Sequence, residues 1–118
     1  MSIPPEIRGQ RYISLATFRK NGQPVLTPVW FGEENDKLYV MTSSRLGKVK
    51  RVRNNSKVKI APCTARGKVT GPEFSGVARI LPPQDGPAAR KAINRKYFMA
   101  RMPIWWRTDT YFEIDITP

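Results

Sequence analysis

Between Lys37 and Asn55 the chain changes its hydrophobic period, and this constrains the fold more than any other feature. Residues 37–41 (KLYVM) are a strand-like apolar run, whereas Leu46, Val49 and Val52 recur every three residues. That recurrence is the stripe of an amphipathic helix. A strand must therefore feed into a short helix, expected over residues 44–55, that lies on a sheet with Ser43 or Ser44 as its N-cap. Arg45, Lys48, Lys50, Arg51 and Arg53 fill the rest of its arc, and Thr42, Ser43 and Ser44 stand at the strand end. Hydroxyls at a strand end, helix N-terminal N–H groups and mobile cations together suit a phosphate. Charge by itself leaves open whether that phosphate belongs to a small cofactor or to a nucleic acid.

The flanking sequence supplies the sheet. Residues 12–19 (YISLATFR) and 24–31 (PVLTPVWF) read as strands joined by Lys20-Asn21-Gly22-Gln23, where Asn-Gly signals a hairpin. Pro24 and Pro28 cannot donate to a ladder, so this strand belongs in part at an edge. A polar turn over 32–36 leads to the 37–41 strand, and two successive hairpins predict a meander. Lys57–Cys63 and residues 73–81 are further strands around an excursion at 64–72, and Thr110–Ile116 alternates Phe112, Ile114 and Ile116 with polar neighbours. Residues 87–102 have helical composition, with Pro87 in the first turn, Asp85 nearby and Met102-Pro103 as the stop. Six closely spaced strands and two helices predict a mainly β fold, a small six-stranded barrel with short helices, as one domain over residues 1–118.

Two near-absences narrow the chemistry. The chain has no histidine and a single cysteine, Cys63. His-based triads, His metal sites, an internal disulfide and a cysteine zinc site are excluded. No catalytic residue and no metal ligand is assigned, and an organic cofactor is expected to carry any reaction. Cys63 lies in an apolar strand and reads as a buried small hydrophobe. No run approaches a membrane span, and no targeting segment is visible, so a cytoplasmic location without membrane contact is expected.

The net charge of +12, from 21 Lys and Arg against nine Asp and Glu, attracts polyanions without choosing among them. A nucleic-acid surface would interleave exposed aromatics with the cations, whereas the aromatics here sit in strands, which demotes that partner. A solvated amphipathic face is the bland alternative for the helix. Trp30 can wall a pocket because its indole N–H needs a partner, while Phe31 reads as core. Trp105-Trp106 could be core, a subunit interface or a ring-stacking wall.

These segments, together with LYVMTSSRLGKVKRVRNN, KVKIAPCTARGKVTG, FSGVARIL and NRKY at 94–97, resemble the pyridoxamine 5′-phosphate oxidase-like superfamily. More narrowly they resemble its small deazaflavin (coenzyme F420)-dependent oxidoreductases. The resemblance covers residues 12–97. It implies a split, FMN-binding-like β-barrel working as a homodimer, with flavin or deazaflavin in clefts between subunits. The family's phosphate-binding Thr and the Lys six residues later fall on Thr42 and Lys48, with Ser43 and Ser44 between them and Val49 after. The ring-contacting strand falls on Pro28, Val29 and Trp30. Arg51, one turn beyond Lys48, could reach the same anion.

Two departures argue against pyridoxamine-phosphate oxidase activity itself. Leu46 and Gly47 precede Lys48 where the oxidases have Ser-Arg, and the strand TPVWF lacks their opening arginine. The expected function is hydride transfer between coenzyme F420 and a small conjugated acceptor, with FMN as the alternative cofactor. A non-catalytic flavin- or tetrapyrrole-binding module is the other alternative. The phosphodiester and oligoglutamate tail of F420 would engage the basic face, and Arg66 and Lys68 with it, whereas FMN needs less charge.

Overall fold

The structure, a computed structural model, describes residues 3–95 and 109–117. The strands are β1 (Tyr12–Phe18), β2 (Pro24–Val29), β3 (Gly32–Glu34), β4 (Lys37–Thr42), β5 (Lys57–Cys63), β6 (Phe74–Ile80) and β7 (Thr110–Ile116). Helix α1 (Gly47–Asn54) follows β4, and α2 (Gly86–Asn94) follows β6 after a 3-10 turn at Pro83–Asp85. The residues of the predicted second helix beyond 95, its Met102-Pro103 stop and Trp105-Trp106 lie outside the described residues.

The strands form one antiparallel sheet in the order β2-β1-β5-β6-β7-β4-β3. This order forces curvature. β2 and β3 sit at opposite edges, which in a flat sheet would lie roughly 29 Å apart at about 4.8 Å per step. Yet only Trp30 and Phe31 join Val29 to Gly32, a link that spans at most about 10 Å. The sheet therefore curls until its edges approach, which gives a barrel left unlaced between β2 and β3.

Among the described residues seven strands replace the expected six, and the meander is corrected. The 24–31 strand stops at Val29, and 32–34 pairs with 37–39 as a separate strand: Gly32 faces Tyr39 and Glu34 faces Lys37. The turn between them, Asn35-Asp36, has both residues at positive φ (52° and 62°), the type I′ geometry that matches strand twist. Its charged composition disguised a three-residue strand as a loop. At the earlier Asn-Gly only Gly22 is left-handed (φ 88°), and Asn21 instead accepts the Gln23 N–H at 3.0 Å. Edge placement of the proline-bearing β2 is as expected, with Pro28 opposite Ser14 and Pro24 opposite Phe18.

Alternation places Ile13, Leu15, Val29, Leu38, Val40, Val58, Ile60, Phe112, Ile114 and Ile116 in one core, with Val49 and Val52 of α1 capping it. Helix α2 covers the outer face of β3, β4 and β7, where Ile93 packs with Trp30, Tyr39, Met41 and Tyr111. That approach is close: a Cβ on Gly32 would lie 2.6 Å from the Ile93 backbone nitrogen. Cys63 is buried as expected, and burial pushes its thiol pKa up.

Candidate functional site

The β4–α1 junction is built by a turn rather than a capped helix start. The Leu46 N–H bonds the Ser43 carbonyl at 3.0 Å. Helix α1 begins at Gly47 with Leu46 as N-cap, in extended backbone and without a side-chain cap. This corrects the expectation that Ser43 or Ser44 caps the helix, because both hydroxyls are used elsewhere. Ser43 Oγ accepts the Arg45 N–H at 3.4 Å. Ser44 donates its N–H to one oxygen of Asp109 at 2.8 Å and its hydroxyl to the other at 2.7 Å.

Asp109 was missed by sequence reasoning, and no spacing could have linked positions 44 and 109. Antiparallel pairing does so by setting Thr42 opposite Thr110, after which the Asp109 N–H bonds the Thr42 carbonyl at 3.1 Å. The two Ser44 donors, joined by the Thr110 hydroxyl, hold the exposed Asp109 carboxyl below the usual aspartate pKa. The turn thus binds an anion, one supplied by the chain itself.

Thr42 and Lys48 differ from the serines. Thr42 sits on the inward face of β4 with Leu38 and Val40, 4% exposed. Its Oγ1 has no hydrogen-bond partner among the described residues, an omission worth about 1–3 kcal/mol in a buried hydroxyl. Lys48 is 9% exposed and joins no salt bridge among the described residues. Burial, reinforced by the Arg51 charge, pushes its ammonium pKa down. An unpaired hydroxyl and a poorly solvated, uncompensated cation on either side of one turn fit an anionic ligand group.

The remaining expected residues scatter. Val49 is core, 1% exposed, and its N–H bonds the Leu46 carbonyl at 3.2 Å. Arg51, expected to share Lys48's anion, donates Nε to Thr17 Oγ1 at 2.7 Å and lines a different cleft. Pro28 is exposed, Val29 faces the core and half-buried Trp30 packs around Ile93. Arg66 and Lys68 are exposed beside Gly67, where an added Cβ would lie 3.6 Å from Pro28 Cδ.

The sequence matches the pyridoxamine 5′-phosphate oxidase family over residues 3–113. The chain belongs to that family. No curated protein matches it. Among solved structures, an F420 reductase is 19% identical with a TM-score of 0.68, covering 98% of this chain and 97% of that one. HutZ, the haem storage protein of Vibrio cholerae, is 15% identical with a TM-score of 0.70, over 100% of this chain and 92% of its own. A conserved hypothetical protein of Mycobacterium tuberculosis is 20% identical with a TM-score of 0.72, over 96% and 77%. At these identities the structures establish the split-barrel fold of the pyridoxamine 5′-phosphate oxidase family. Among the described residues, no helix is long and apolar enough to cross a membrane.

Proposed function

We propose that this member of the pyridoxamine 5′-phosphate oxidase family is a homodimeric, single-domain oxidoreductase using coenzyme F420, with FMN as the alternative cofactor. The observation that carries this is Lys48, a buried cation without a carboxylate partner among the described residues, beside a strand end whose Thr42 hydroxyl is likewise unpaired among them. Lys48 neutralises the ligand's phosphate, Thr42 and Ser43 complete its hydrogen bonds, and Val49 fixes the turn by packing. Pro28, Val29 and Trp30 form the strand segment against the ring. Bound there, a deazaflavin supplies two-electron hydride chemistry toward a conjugated acceptor. The chain's own task is to hold ring and acceptor together and to exclude water.

Charge favours F420 over FMN, because a net +12 suits a ligand with several negative groups. A haem would have to find its axial ligand among Cys63, tyrosines and methionines, since the chain has no histidine. Purified protein titrated with F420, FMN, haem and a DNA duplex tests the reading. Micromolar binding of F420 alone is expected. Binding of DNA alone, with a steep salt dependence, overturns it. Sedimentation as a monomer overturns the two-subunit cleft.

A further inference from the structure

Helix α1 presents a second face, which the Thr42–Lys48 turn does not include. Gly47, Lys50, Arg51 and Asn54 stand at i, i+3, i+4 and i+7 and so share one side of the helix. Lys48, Val49 and Val52 are turned toward the barrel. Across from the first face lie Phe18, Arg19 and Lys20, where β1 enters its turn, and Asn55 closes the end. Together they line a cleft of about 620 Å³, a volume within the usual range of small-molecule sites.

We propose that this cleft binds a small, multiply charged oxyanion, separately from the Thr42–Lys48 turn. Its lining holds four cations, Arg19, Lys20, Lys50 and Arg51, and no carboxylate. None of the four joins a salt bridge among the described residues. Like charges gathered in a concave wall repel one another and concentrate counter-anions. Burial, and after it the Arg19 charge, pushes the Arg51 guanidinium pKa down.

Arg51 is also pre-positioned. Its Nε is anchored on Thr17 Oγ1 at 2.7 Å, and Thr17 is buried. The anchor leaves Nη1 and Nη2 as a fork suited to two oxygens of one anion. Gly47 makes room for that fork, since a Cβ there would stand 2.6 Å from Arg51 Nη1. Asn55 accepts the Lys57 N–H through Oδ1, which leaves its amide N–H groups as neutral donors. Phe18 adds an apolar wall beside the cations.

The test is calorimetric titration of the full chain with pyrophosphate and, separately, citrate at fixed ionic strength. These probes distinguish a phosphate from a carboxylate source of the same chemistry, and the tighter one names the source. Saturable binding at one site is expected, weakened at least tenfold by Arg51→Gln and severalfold by the exposed Lys50→Gln. Gly47→Ala keeps every charge but displaces the guanidinium, and it should also weaken binding severalfold. Lys91→Gln, on the outer helix α2, should stay within twofold of wild type. Absence of saturation overturns the proposal. An equal loss in Lys91→Gln overturns it as general attraction to a basic protein. A loss in Lys48→Met as large as in Arg51→Gln overturns the separateness of the cleft. F420 binding without pyrophosphate binding rejects the cleft alone, and the reverse result rejects the cofactor reading alone.

Discussion

Lys48→Met should stabilise the free protein while weakening its hold on the cofactor. Methionine reproduces the unbranched stem of lysine, so the packing of the buried methylenes is kept. What disappears is an ammonium that is 9% exposed, has no carboxylate partner among the described residues and is repelled by Arg51. Removing a partly desolvated, unpaired charge is worth about 1 kcal/mol here, at the low end because the head group retains some water. For a chain of this size that raises Tm by roughly 3–6 °C. Loss of a charge-assisted hydrogen bond should meanwhile weaken F420 binding by about 1–3 kcal/mol, roughly 5- to 150-fold in Kd.

The pH dependence follows the sign of the shift. The folded pKa of Lys48 lies below its ordinary 10.5, so at neutral pH the charged form is held at a cost that unfolding relieves. That cost fades as pH rises through the folded value and is gone above 10.5. The stability advantage of Lys48→Met should therefore shrink in the alkaline range. Differences between the two proteins must be read, because Tyr39 and Cys63, with raised pKa values, lose stability over the same range. Thermal melts and cofactor titrations across pH provide the assay. A lower Tm for the variant would refute the uncompensated charge. A higher Tm with unchanged cofactor affinity would remove Lys48 from the site.

Gly32→Ala should cost about 1–3 kcal/mol, since its Cβ would meet the α2 backbone at 2.6 Å and neither element can yield locally; an unchanged Tm would show that α2 is not seated on β3. The Ser44 amide resonance should titrate with a carboxyl below aspartate's ordinary 3.8, because that N–H and the Ser44 hydroxyl stabilise the Asp109 carboxylate. The contact is complete above 3.8 and is lost as pH falls through the lower folded value. Asp109→Asn should abolish that titration, and a persistent acid shift would place the responsible carboxyl elsewhere.

Much of this was legible in particular residues. The alternation of Phe112, Ile114 and Ile116 located β7 and its inward face, and Pro24 with Pro28 marked an edge strand. Leu46-Val49-Val52 announced a helix on the sheet, although only Val49 and Val52 reached the core and Leu46 became the exposed N-cap. The serine caps were misread because hydroxyls next to a helix satisfy capping statistics equally well when a distant carboxylate claims them. Gly32–Glu34 was invisible as a strand, since three polar residues carry no period.

Local chemistry in the chain thus determined the strands, the basic helix, the exclusion of histidine chemistry and the family resemblance, because each depends on residues close together in sequence. Only the tertiary structure decided how they assemble. The strand order puts β2 and β3 at opposite edges and bends the sheet into a split barrel, and β4–β7 pairing brings Asp109 to Ser44. Packing buries Lys48 on one side of α1 and leaves Arg51 with Arg19 on another. Spacing alone showed five cations within residues 45–53. Burial and like-charge proximity, which exist only once remote segments meet, separate Lys48 at the β4–α1 turn from the cations of the cleft.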